Sequence, residues 1–73
     1  MNENNSNIWR LQAQFDIQGL IDALKEEDTS IRRRAAAALR AIGDKKAVPA
    51  IRVALINEQN PEVRAILASA LDT

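Results

Sequence analysis

The chain has 73 residues, ten Lys and Arg against ten Asp and Glu, no Cys, no His, and 47% hydrophobic residues. This excludes a disulfide framework, a thiolate metal site and histidine acid–base chemistry, and the apolar content is too high for a disordered chain. Zero net charge gives no general attraction to nucleic acid or to an anionic membrane, and a chain of this size makes one compact unit.

Residues 1–6 are polar and lack the basic start and apolar run of a secretory signal, so they read as a disordered leader and the chain as cytoplasmic. A short helix is predicted from Ile8 to Phe15. Asp16 stands as the N-cap of a second helix over Ile17–Glu26, with Ile17, Leu20 and Leu24 on one face. Asp28 caps a third over Thr29–Ile42, where Ile31, Ala35, Ala38, Leu39 and Ile42 share a face. Gly43 is placed to end it in a left-handed conformation. A fourth helix, Ala47–Asn57, must start close before Pro49 and turns Val48, Ile51 and Leu55 inward. Asn60 caps a fifth, Pro61–Leu71, and a proline in the first helical position forfeits no hydrogen bond. Ala, Leu, Arg, Glu and Lys fill the interiors, no alternating strand pattern occurs, and the fold class is all-α. The most apolar stretch, Ala47–Ile56, is interrupted by Arg52 and is far too short to span a bilayer.

The sequence repeats itself. Leu20-Ile21-Asp22-Ala23-Leu24 lies over Ile51-Arg52-Val53-Ala54-Leu55 at an offset of 31, and Ile31-Arg32 lies over Val63-Arg64 at an offset of 32. Ala35, Ala36, Ala38 and Leu39 then fall on Leu67, Ala68, Ala70 and Leu71, so two helix pairs share one register with a single extra residue in a turn. Short loops make neighbouring helices antiparallel.

The run Gly19 to Leu24, then Asp28-Thr29-Ser30-Ile31-Arg32, then Ala35 to Ile42-Gly43-Asp44 and Ala47-Val48-Pro49 resembles the HEAT-like repeat of the phycobilisome-lyase type. That family alternates a leucine helix, an Asp-Pro-x-Val-Arg turn, an alanine-rich helix and Ile-Gly-Asp. Asn60-Pro61-Glu62-Val63-Arg64 is similar to the turn with Asn for Asp, and the first copy departs from it with Thr29 where the family prefers Pro. The resemblance covers residues 8–73, because Asn7-Ile8, Leu11 and Asp16-Ile17 look like the family's N-terminal capping helix. It implies a short right-handed α-solenoid of two HEAT-like hairpins: a capping helix at 7–15, repeat one at 16–43 and repeat two at 44–73. By the same register the last helix stops short, so repeat two is truncated and the chain reads as a fragment of a longer array, a subunit stacked on a partner, or a homodimer joined at its C-terminal edge.

The resemblance makes Arg32 and Arg64 a structural ladder that bonds turn carboxylates or carbonyls, with Asp28 and Asn60 as the matching turn residues. The competing reading is anion binding. Arg32-Arg33-Arg34 with Arg40, Lys45 and Lys46 suggests a phosphate-binding face, yet consecutive helical residues diverge, and Glu26, Glu27, Asp28 and Asp44 lie nearby to neutralise it. The lone aromatics Trp9 and Phe15 are not interleaved with these bases. The resemblance places the second helix of each pair on the concave face, with Arg33, Ala36, Ala37, Arg40, Ala65, Ala68, Ser69 and Asp72 pointing outward. Val53 and Ile56 stand where repeat one has Asp22 and Lys25, and are either satellite core or an exposed apolar patch.

No nucleophile–base pair, phosphate loop or metal-ligand cluster is present, so no catalytic, cofactor or metal residue is assigned. The function expected is a non-enzymatic protein-interaction or scaffold module. It would use Arg33, Ala37, Arg40 and Ser69 on the concave face, and Val53 and Ile56 at the C-terminal edge. Its partners would be a protein, neighbouring repeats or a second copy, with no membrane. The alternatives are phosphate-backbone binding through the arginines and an accessory role to a chromophore lyase. The capping assignment is checked by truncation: removing residues 1–6 leaves the thermal midpoint unchanged, whereas removal through Phe15 unfolds or aggregates the protein. A stable protein after the longer deletion contradicts it.

Overall fold

Four short polar side chains punctuate the fold, each accepting backbone N–H groups that a helix leaves without partners. The computed structural model describes residues 16–72. The predicted leader and the predicted helix Ile8–Phe15 lie outside these residues. Asp16 accepts from the Gly19 N–H at 2.9 Å and opens α1, Ile17–Ala23. Asp28 accepts from Ser30 at 2.8 Å and opens α2, Thr29–Ile42. Asp44 accepts from Lys46 at 2.8 Å and opens a single 3-10 turn, Lys45–Ala47, which leads directly into α3, Val48–Asn57. Asn60 accepts from Glu62 and Val63 at 2.9 and 3.0 Å and opens α4, Pro61–Leu71.

The second helix of each pair has the predicted bounds, and the first helices differ. α1 ends at Ala23 rather than Glu26, because Leu24, Lys25 and Glu26 donate to the carbonyls three residues back, of Ile21, Asp22 and Ala23. The chain thereby tightens into a turn while Leu24 stays buried. α3 starts one residue later than predicted, since Asp44 holds the preceding turn in 3-10 geometry. Gly43 lies at φ +69 and its N–H donates to the Leu39 carbonyl at 3.0 Å, the left-handed stop that closes α2.

Packing is dominated by three seams: α2 on α4, α1 on α2, and α3 on α4. α1 and α3 form no comparable seam. The core is one cluster along these lines, with Leu20, Ile31, Val63 and Leu67 as its largest fully enclosed side chains. Ala35, Ala38 and Leu39 join them as expected of the inward face. Ala36 is a correction: it was placed on the outward face, but it is 0% exposed. The reason is the α2–α4 seam, which widens the buried stripe of α2 beyond what a helix packed on one neighbour requires. Fold class is settled at this level: four helices, no strand among the described residues, and two hairpins side by side.

A Cβ on Gly43 meets nothing within 4 Å, so Gly43→Ala tests backbone conformation alone. It costs about 1–2 kcal/mol in urea unfolding, and Gly43→Asn costs less. Asn60→Ala, which strands two N–H groups, costs about 1 kcal/mol.

Candidate functional site

Arg32, in the first turn of α2, makes five side-chain hydrogen bonds. Its Nη1 donates to the carbonyls of Glu26 and Glu27, both at 2.7 Å, in the turn that ends α1. Its Nη2 donates to Thr29 Oγ1 at 3.2 Å. Its Nε and Nη2 grip both oxygens of Glu58, at 2.8 and 3.1 Å. One guanidinium thus satisfies two otherwise exposed turn carbonyls and fastens repeat one to repeat two by a two-pronged ion pair.

Glu58 is the partner that the sequence did not announce. Its side chain is almost fully enclosed, and Oε2 also accepts from the Asn60 N–H at 3.0 Å. Burial pushes its carboxyl up. The Arg32 hydrogen bond, the Asn60 N–H, the Arg32 charge and the Gln59 N–H together outweigh burial and hold it below the ordinary 4.5. Its sequence signal is faint: at an offset of 32 Glu58 falls on Glu26, which is exposed.

Arg64 repeats half of this arrangement. Its Nη1 donates to the carbonyls of Leu55 and Glu58, at 2.8 and 2.9 Å, and so closes the end of α3. Asp28 and Asn60 act at the N-caps described above. Glu26 and Glu27 were expected to neutralise the arginines by charge; toward Arg32 they supply backbone carbonyls, and the neutralising carboxylates come from repeat two.

The residues proposed to meet a partner are spread over the surface. Arg33, half-buried, pairs with Glu62 across the α2–α4 seam at 2.9 Å, so its charge is already matched within the chain. Ala37 is half-buried, whereas Arg40 and Ser69 are exposed on α2 and α4. Val53 and Ile56 are 57% and 79% exposed on α3 and are not satellite core. Val53 lines an open groove of ≈ 740 Å³ between α1 and α3, with Ile21, Leu24, Ala50 and Ala54 as its apolar lining and the Arg32–Glu58 pair among its walls. Ile56, one turn on, does not line it. No group of three or more metal-ligating side chains occurs among the described residues. Nor is any helix there long and apolar enough to cross a membrane.

Residues 17–73 match the family model of HEAT repeats. The chain belongs to the HEAT repeat family. A protein of Pseudanabaena tenuis described as "uncharacterized phycocyanin operon protein Z" is 38% identical over 73 residues, covering 96% of this chain and 36% of that protein. This HEAT chain therefore spans about a third of the length of that relative. No solved structure matches. The arginine lock between its hairpins joins one HEAT repeat to the next.

The lock has a pH signature. Because the Glu58 carboxyl titrates below its ordinary value in the fold, its contribution is present above that value and is lost as pH falls through the lowered one. Glu58→Gln lowers stability at pH 7 by about 1–3 kcal/mol and flattens the acid limb of a stability–pH profile. Arg32→Met leaves the enclosed carboxylate unpaired and costs about 3–5 kcal/mol, which approaches the whole stability of a small domain. Equal losses from Arg32→Met and Arg64→Met would remove the special place given to the Glu58 pair.

Proposed function

We propose that the chain is a non-enzymatic protein-interaction module, a short HEAT array that offers surfaces to another protein. The observation that carries this reading is the exposure of Val53 and Ile56 on α3, where the matching positions of repeat one are the charged Asp22 and Lys25. Large apolar side chains kept in water, Val53 at a groove of mixed apolar and charged lining and Ile56 one turn on, support a binding role for this surface. HEAT repeats are typically non-catalytic, which agrees with a sequence lacking Cys and His. Phosphate-backbone binding has less support, because Arg32 and Arg33 are matched by Glu58 and Glu62.

A second reading, an accessory subunit of a chromophore lyase, is favoured by one finding: the relative is named for a phycocyanin operon. Both readings put the chain in contact with a protein, and the second narrows which one.

The test uses the full chain immobilised from a native extract. A predominant protein is retained by the parent and lost with the double substitution Val53→Asp and Ile56→Lys. Thermal unfolding of the variant stays within a few degrees of the parent, because both side chains are exposed. Equal retention by parent and variant removes the role of this surface. Retention that falls steeply with salt and persists in the variant supports the arginine face instead.

A further inference from the structure

The outer face of α3 combines apolar side chains with one cation. Pro49, Arg52, Val53, Ile56 and Asn57 are its exposed residues, and Arg52 is the single charge on the helix. Arg52 joins no ion pair among the described residues. Val53 and Ile56, three positions apart, lie on neighbouring turns of the helix and form a short ridge with Arg52 at its shoulder.

The groove beside this ridge has the opposite charge at one end. Ile21 and Leu24 of α1 face Val53 and Ala54 of α3 across it. Arg32 binds the carbonyls of Glu26 and Glu27 together with the carboxylate of Glu58, and so draws the turn after α1 up beside the C-terminal end of α3. The carboxylates of Glu26 and Glu27 take no part in this. Both residues are exposed, both line the groove, and neither joins an ion pair among the described residues. Lys25 and Arg32 against Glu26, Glu27 and Glu58 leave the lining with an excess of negative charge. Within one chain the cation and these carboxylates are kept apart, because Arg52 points about 100° around the helix from Val53 and does not line the groove.

We propose that a second copy of the chain docks on this face about a two-fold axis between Val53 and Ile56, with the two α3 helices antiparallel. The proposal rests on the reading of Val53 and Ile56 as a binding surface and names the protein that surface holds. In this register Val53 faces Ile56 of the second copy, and Ile56 faces Val53. Arg52 faces Asn57 of the second copy, a residue that lines the groove together with Glu26 and Glu27. The cation of each copy thus arrives at the carboxylates of the other. Charge complementarity selects a second copy, since one chain carries both the unpaired cation and the unpaired carboxylates, and the two-fold axis makes each pairing twice. The contact uses the same patch on both subunits, so it closes at two. Two helices with their flanks bury less than the roughly 800 Å² per partner of a standard interface, so the dimer is weak and forms with rising concentration.

Sedimentation of the full chain from micromolar to millimolar concentration tests this. The mass rises to twice that of the chain and no further. Val53→Asp abolishes the rise. Arg52→Glu weakens association by about tenfold or more, because it sets like charges face to face, and Glu26→Lys with Glu27→Lys does the same. An equimolar mixture of these two variants associates as tightly as the parent, because every facing pair is again opposite in sign. All four side chains are exposed, so thermal unfolding of the variants stays within a few degrees of the parent. A chain that stays monomeric at millimolar concentration overturns the proposal, as does association that continues past two. So does a dimer indifferent to Arg52→Glu, or a mixture that associates no better than its components. A monomer whose retention of another protein still depends on Val53 and Ile56 removes the second copy and leaves the interaction reading standing.

Discussion

One guanidinium fixes how the two hairpins meet. Arg32 closes the turn behind α1, binds the side chain in front of it and reaches the buried carboxylate of the next repeat. Such a pair is not a cheap source of stability, because taking both charges out of water offsets much of their attraction. Its value lies in direction. Apolar contacts along α2 and α4 tolerate sliding, whereas a two-pronged bond to both oxygens of Glu58 fixes one register and one angle between the repeats.

The small residues of α2 serve the same end. Ala35, Ala36 and Ala38 are enclosed and add little bulk, so the α2 and α4 backbones come close and Arg33 can reach Glu62 across the seam. The largest fully enclosed side chains, Leu20, Ile31, Val63 and Leu67, belong to the one core cluster that spans both pairs. Alanine-rich composition and a narrow core are thus linked: the helices trade side-chain volume for proximity.

Much of the architecture was legible in the sequence. The caps Asp16, Asp28 and Asn60, the stop at Gly43 and the prolines at helix starts are local signals, set by the hydrogen-bond needs of helix ends, and local signals survive folding. The 3.6-residue pattern gave the inward face of α2 apart from Ala36, because periodicity on one helix cannot say how many neighbours it has. Glu58 was missed for a related reason. Its burial depends on a partner 26 positions away and on a seam that no single helix encodes. The pairing of Arg33 with Glu62 of the other repeat is of the same kind, because it too depends on a seam between helices far apart in sequence.

The absence of a seam between α1 and α3 has a mechanical consequence. The two hairpins meet along one line, with α2 and α4 as its spine and each first helix packed on its own second helix. The Arg32–Glu58 bridge, which lies in the wall of the gap, acts as a stay across it. The angle between the hairpins therefore rests on this pair of side chains as well as on the α2–α4 seam, and the open side of the gap is guarded by charge where the closed side is packed with apolar side chains.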